Sequence, residues 1–100
     1  MKEGSMLFVR IDYKVGADEV TEQVAIESAE YLKKLSAKRY LTAGVFGDMT
    51  TEEIDGAMVI FEAENLAEAK AISDEDPVFQ GGLYRYDLKQ WHVMVTSTEQ

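Results

Sequence analysis

Along Met6–Tyr13 the residues Leu7, Val9, Ile11 and Tyr13 fall on one face, and Met6, Phe8, Arg10 and Asp12 fall on the other. A period of two among β-branched and aromatic residues predicts a strand. Its first face is uniformly apolar and is expected to meet helices. The second turns from apolar to charged, as a face bordering a polar cavity would. Past Val15-Gly16 the period lengthens, and Asp18 can cap a helix that runs to about Ala37 with acidic residues in its first turn, where the helix dipole favours them. The stripe of that helix is Val20, Val24, Tyr31, Leu32 and Leu35. Stepping by four from Val20 gives Val24, Ser28 and Leu32, so one hydroxyl interrupts the row that faces the sheet.

Tyr40 to Phe46 reads as a second strand, Gly47 to Asp55 as an exposed connection, and Gly56 to Ala63 as a third strand. Asn65-Leu66-Ala67-Glu68 carries a capping-box pattern and starts a short helix with Leu66, Ala69 and Ile72 on one face. That helix ends in an acidic run before Pro77. Beyond the Gly81-Gly82 turn, Leu83 to Val95 is apolar enough for a long last strand.

Two β-α-β halves in this order predict an α+β fold of β-α-β-β-α-β order. This is the ferredoxin-like arrangement, a four-stranded antiparallel sheet with two helices on one face. The other face would be bare. A domain this small is expected to cover such a face with the same face of a second copy, so a homodimer follows.

Composition narrows the possible partners. A chain of 100 residues that is 46% hydrophobic can build one core and leaves little for a second domain. Residues 6–95 are therefore read as one domain, residues 1–5 as a tag remnant and 96–100 as a polar tail. With 19 acidic against 10 basic residues and a pI near 4.5, the surface should repel phosphate backbones and anionic lipid, so no nucleic acid or membrane partner is expected. Lack of cysteine excludes thiolate chemistry and Cys-based zinc, and one histidine offers no recognisable metal constellation. Neither a cofactor nor a metal is expected. A leader pattern and a run of about 18 apolar residues are both missing, which points to the cytoplasm.

Several pieces together resemble one family. Tyr31-Leu32-Lys33-Lys34-Leu35, Leu41-Thr42-Ala43-Gly44, Asp76-Pro77-Val78-Phe79 with Gly81-Gly82-Leu83-Tyr84, and Gln90-Trp91 stand in the order and rough spacing of the YciI-related family. The resemblance covers nearly all of Met6 to Val95 and implies the dimeric α+β barrel fold. It also implies an enzyme-like pocket in which a histidine on the first helix and the aspartate of the Asp-Pro motif form an acid/base pair. A related member acts as a dehydrochlorinase on a chlorinated aromatic. The aspartate matches Asp76. The histidine does not match: aligning Tyr31-Leu32 and Leu35 puts Ser28 in its place, and an ungapped count back from Ala43 puts Glu27 there.

Each candidate residue has a plain reading beside the functional one. Asp76 and Ser28 are the candidate catalytic residues, yet Asp76 could simply bond turn amides and Ser28 the carbonyl one turn earlier. Arg10, Asp12 and Arg85, with Asp87, could form ion pairs between strands, or an arginine could grip a substrate carboxylate bidentately. Tyr84, with Phe8, Phe61 and Trp91, could wall the substrate pocket or belong to the core. His92 could supply the missing imidazole from the end of the last strand. The leading functional reading is a cofactor-independent lyase or isomerase on a small organic or aromatic-derived acid. The alternative is a non-catalytic module that binds a small ligand or makes dimer contacts. An antibiotic-biosynthesis-type monooxygenase on the same barrel is a third reading, with no motif of its own.

Overall fold

The structure is a computed structural model that describes residues 5–48, 50–51 and 53–97. Expectations for residues 1–4 and 98–100 lie outside the described residues. The elements are β1 (Met6–Lys14), α1 (Glu22–Ser36), β2 (Leu41–Asp48), β3 (Glu53–Ala63), α2 (Leu66–Asp74), a 3-10 turn at Pro77–Phe79, and β4 (Tyr84–Trp91). The strands form one sheet in the order β2-β3-β1-β4, with every neighbouring pair antiparallel. This is the ferredoxin-like α+β arrangement. No helix among the described residues is long and apolar enough to cross a membrane.

Local chemistry sets the helix starts. Thr21 caps α1, its hydroxyl accepting from the Val24 amide at 3.2 Å, so the helix begins later than a cap at Asp18 would have it. Asn65 caps α2 by accepting from the Glu68 amide at 2.8 Å. The Glu68 carboxylate reaches back to the amide of Glu64, one residue short of the reciprocal capping box. The final strand stops at Trp91, four residues before Val95, and Met94 and Val95 are 88% and 91% exposed.

Strand pairing reveals which face of β1 is inside, and it reverses the expectation. Phe8 lies opposite Phe61, Arg10 opposite Val59, and Asp12 opposite Ala57. Phe8, Arg10, Asp12, Val59 and Phe61 of this row are buried, and the Phe8 and Phe61 rings sit 6.3 Å apart in the core with Val59, Ala63, Ala69 and Ile72. The uniformly apolar row of Leu7, Val9, Ile11 and Tyr13 instead lies with Met58 and Ile60 on the face without helices. Arg10 and Asp12 can take interior positions because each finds its counter-charge there.

Gly56 fixes the join between β1 and β3. A Cβ at this buried position would come within 2.4 Å of the Asp12 backbone carbonyl. Gly56→Ala is therefore expected to lower stability by about 1–3 kcal/mol through overpacking, read as a lower urea midpoint. An unchanged midpoint would mean that the strands do not approach so closely.

Candidate functional site

The two helices do not cover the sheet evenly. α2 lies over the aromatic end of the core, whereas β2 is an edge strand whose Ala43 and Val45 stay exposed. Between α1 and that half of the sheet opens a cleft of about 530 Å³. Its walls are mostly apolar, including Val20, Leu32, Val59, Val78 and Tyr84, and its polar floor includes Ser28, Arg10 and Asp12.

Behind the floor stands Asp76, at 0% exposure. It caps the 3-10 turn, so Oδ1 accepts from the Val78 amide at 3.0 Å, as an aspartate before a turn is expected to do. The same oxygen accepts from the Ser28 hydroxyl at 2.6 Å, and Oδ2 accepts from Arg10 Nη2 at 2.9 Å. Asp12 takes the forked edge of Arg10, with Nε donating at 2.8 Å and Nη2 at 2.7 Å. Ser28 thus spends its proton on a carboxylate 48 residues away rather than on its own helix; that back-bonding is made by Ser73, which donates to the Ala69 carbonyl at 2.9 Å. Ser28 is the buried residue of α1. The helix is held at this height by Tyr31, whose hydroxyl donates to the Ile72 carbonyl at 2.6 Å.

Two carboxylates share one guanidinium, and the electrostatics follow. Burial opposes the charge of Arg10, but hydrogen bonds and charges from Asp12 and Asp76 outweigh it and raise its pKa. Asp12 is raised as well, first by burial and further by the charge of Asp76, against the opposing pull of Arg10. A carboxyl group whose folded pKa is raised adds stability at low pH and loses it as the pH climbs from its ordinary value of 3.8 through the folded value. The unfolding free energy of the wild type minus that of Asp12→Asn should therefore fall as the pH rises through this window. A flat or rising difference in urea titrations would refute the assignment.

The other sequence candidates lie elsewhere. Tyr84 is on the cleft wall, where burial is the main cause raising its phenol pKa. Arg85 is exposed on the bare face, stacked 4.8 Å from the Tyr13 ring, with Asp87 at 3.8 Å. It is opposite Tyr13 in register and so faces away from Arg10. His92 is exposed just past β4, beside the start of β1, four residues or roughly 13 Å along the strand from Arg10. Phe8 and Phe61 are core, and Trp91 is exposed. One contributor was missed: the Phe79 ring lies 4.8 Å from the Arg10 guanidinium and packs on Tyr86 at 5.0 Å, closing the cluster from the turn side. The aromatic in Asp76-Pro77-Val78-Phe79 was the signal for it. Among the described residues no group of three His, Cys, Asp or Glu is placed to hold a metal ion.

The domain model described as YCII-related domain matches residues 6–92. Nothing among curated proteins matches the chain. Among solved structures, one similar fold is 5-chloro-2-hydroxyhydroquinone dehydrochlorinase (TftG) from Burkholderia phenoliruptrix AC1100, in complex with 2,5-dihydroxybenzoquinone. It aligns at TM-score 0.64 and 20% identity over 87% of this chain and 94% of that one. A second is SnoaB, a cofactor-independent oxygenase from Streptomyces nogalater, at TM-score 0.51 and 13% identity over 96% of this chain and 99% of that one.

Proposed function

We propose a function from one premise: the chain belongs to the YCII-related family, whose domain model spans residues 6–92. On that premise it is a cofactor-independent lyase or isomerase that moves a proton on a small organic or aromatic-derived molecule held in the α1 cleft. The observation that carries this reading is the convergence of Ser28, Asp76, Arg10 and Asp12 at one end of an otherwise apolar cavity. Asp76 is the proton acceptor and Ser28 its relay. The Ser28 hydroxyl passes its proton to Asp76 Oδ1 as it takes one from a substrate hydroxyl, and the electron pair left on the substrate drives double-bond formation with departure of an anionic leaving group. Arg10 holds Asp76 in place and Tyr84 walls the substrate. The dehydrochlorinase name of TftG makes halogenated hydroxyaromatics the first substrates to try.

The test is halide release from a panel of such compounds, run beside ligand-induced thermal shifts. Turnover that Asp76→Asn abolishes while binding persists supports the enzyme. The competing reading, a small-ligand module without catalysis, draws on the full burial of Asp76. It is favoured if compounds raise the melting temperature but no halide or isomerised product forms.

The same reading has two copies meeting across the bare sheet face, where Val9, Ile11, Met58 and Ile60 form an apolar centre. Sedimentation should give twice 11.2 kDa for the wild type, and Ile11→Lys should give the single-chain mass while remaining folded. A wild type that stays monomeric at tens of micromolar would remove the pairing.

A further inference from the structure

The floor of the cleft holds three buried charges, with Arg10 at 2%, Asp12 at 3% and Asp76 at 0% exposure. One cation against two anions leaves one negative charge in excess. The Nε–Nη2 edge of a guanidinium is the fork that grips a carboxylate bidentately. In Arg10 that edge is already taken, by Asp12 at 2.8 and 2.7 Å, with Nη2 also serving Asp76 at 2.9 Å. Among the other charged residues lining the cleft, Glu19 is paired with Lys14, and Lys33 is exposed to solvent that screens its charge, so the buried excess is not offset. Ser28 has its proton committed to Asp76, which leaves its oxygen to accept from a ligand rather than donate.

We infer that the cleft selects an uncharged ligand, a neutral ring bearing hydroxyl or amide donors, and discriminates against a carboxylate of the same shape. This rests on the reading of the cleft as the substrate site and narrows its substrate class to neutral hydroxylated molecules, in place of the acid expected from the sequence. A donor on the ring meets the Ser28 oxygen, the apolar walls take the ring, and an added anion meets the excess charge with the Nε–Nη2 fork of Arg10 already occupied.

The experiment titrates the intact protein with 4-hydroxybenzamide and with 4-hydroxybenzoate at pH 7.5, following amide chemical shifts. The two probes share ring and hydroxyl and differ by one charge. The amide should bind at least tenfold more tightly to the wild type. Asp12→Asn removes the excess charge and releases the Arg10 fork, so the benzoate should gain at least tenfold in affinity while the amide changes little. Benzoate binding the wild type as tightly as the amide overturns the selectivity and leaves the ligand site standing. An amide preference that Asp12→Asn does not alter overturns its charge origin. Failure of both probes to shift any cleft amide overturns the ligand-site reading itself, and the selectivity falls with it.

Discussion

Replacing Arg10 with methionine should cost about 3–5 kcal/mol of folding stability, the usual penalty for removing one partner of a buried ion pair. The guanidinium is 2% exposed and lies between carboxylates that are 3% and 0% exposed. Without it, two negative charges would share an interior site with no cation, and one would have to take up a proton or draw in water. The loss comes from the uncompensated charges rather than from the worth of the ion pair, and a second substitution can separate the two. Arg10→Met with Asp12→Leu removes one of the stranded carboxylates, so the double variant should be more stable than Arg10→Met alone. Urea unfolding of the wild type, Arg10→Met, Asp12→Leu and the double variant is the check. Additive losses would show that the guanidinium and carboxylate act independently, contrary to the hydrogen bonds at 2.7 and 2.8 Å.

Asp76→Asn should reduce turnover by about 10²- to 10⁴-fold, the range typical for loss of a positioned general base. The substitution is nearly isosteric. Its amide oxygen can still accept from Ser28 and Val78, but its NH2 would face the Arg10 Nη2 that now donates at 2.9 Å. A stability loss of about 1.5–3 kcal/mol, that of a hydrogen bond to a charged group, should accompany the kinetic effect. Ser28→Ala keeps Asp76 and Arg10 and removes only the relay. It should lower kcat with a stability loss of about 1.5–3 kcal/mol, that of one hydrogen bond to a buried carboxylate, while Val78 and Arg10 still hold Asp76 in place. An unchanged kcat in Ser28→Ala would take the relay out of the mechanism and leave Asp76 to act alone.

The fold was legible because its signals are local. Period-two apolar runs, helical stripes, the Asn65 cap and a turn at Gly81-Gly82 define the β-α-β-β-α-β order without any tertiary information, although the first helix starts at Thr21 rather than Asp18. Ser28 could also be placed inward, since its position depends only on helical spacing from Val24 and Leu32. The faces of β1 were not legible. Leu7, Val9, Ile11 and Tyr13 are the more apolar row, and burial by hydrophobicity alone selects them for the core. What decides otherwise is that Arg10 and Asp12 meet Asp76 and Ser28, and Asp76 lies 66 residues from Arg10 in sequence. A charge whose counter-charge comes from that far along the chain looks solvated in any local window. The same blindness made Arg10 and Arg85 look alike. Register separates them, since Arg85 is opposite Tyr13 while Arg10 is opposite Leu88. The end of β4 was missed for a simpler reason: Val93, Met94 and Val95 carry strand propensity but continue past the last paired residue of β1.

The placement of a ligand over Ser28 and Asp76 can be read in one NMR titration with neutral hydroxylated aromatics. Shifts gathered on the amides of Ser28, Leu32, Val59, Val78 and Tyr84, and still present in Asp76→Asn, are the predicted result. Shifts confined to the bare face around Ile11 and Met58 would contradict the cleft as the functional site.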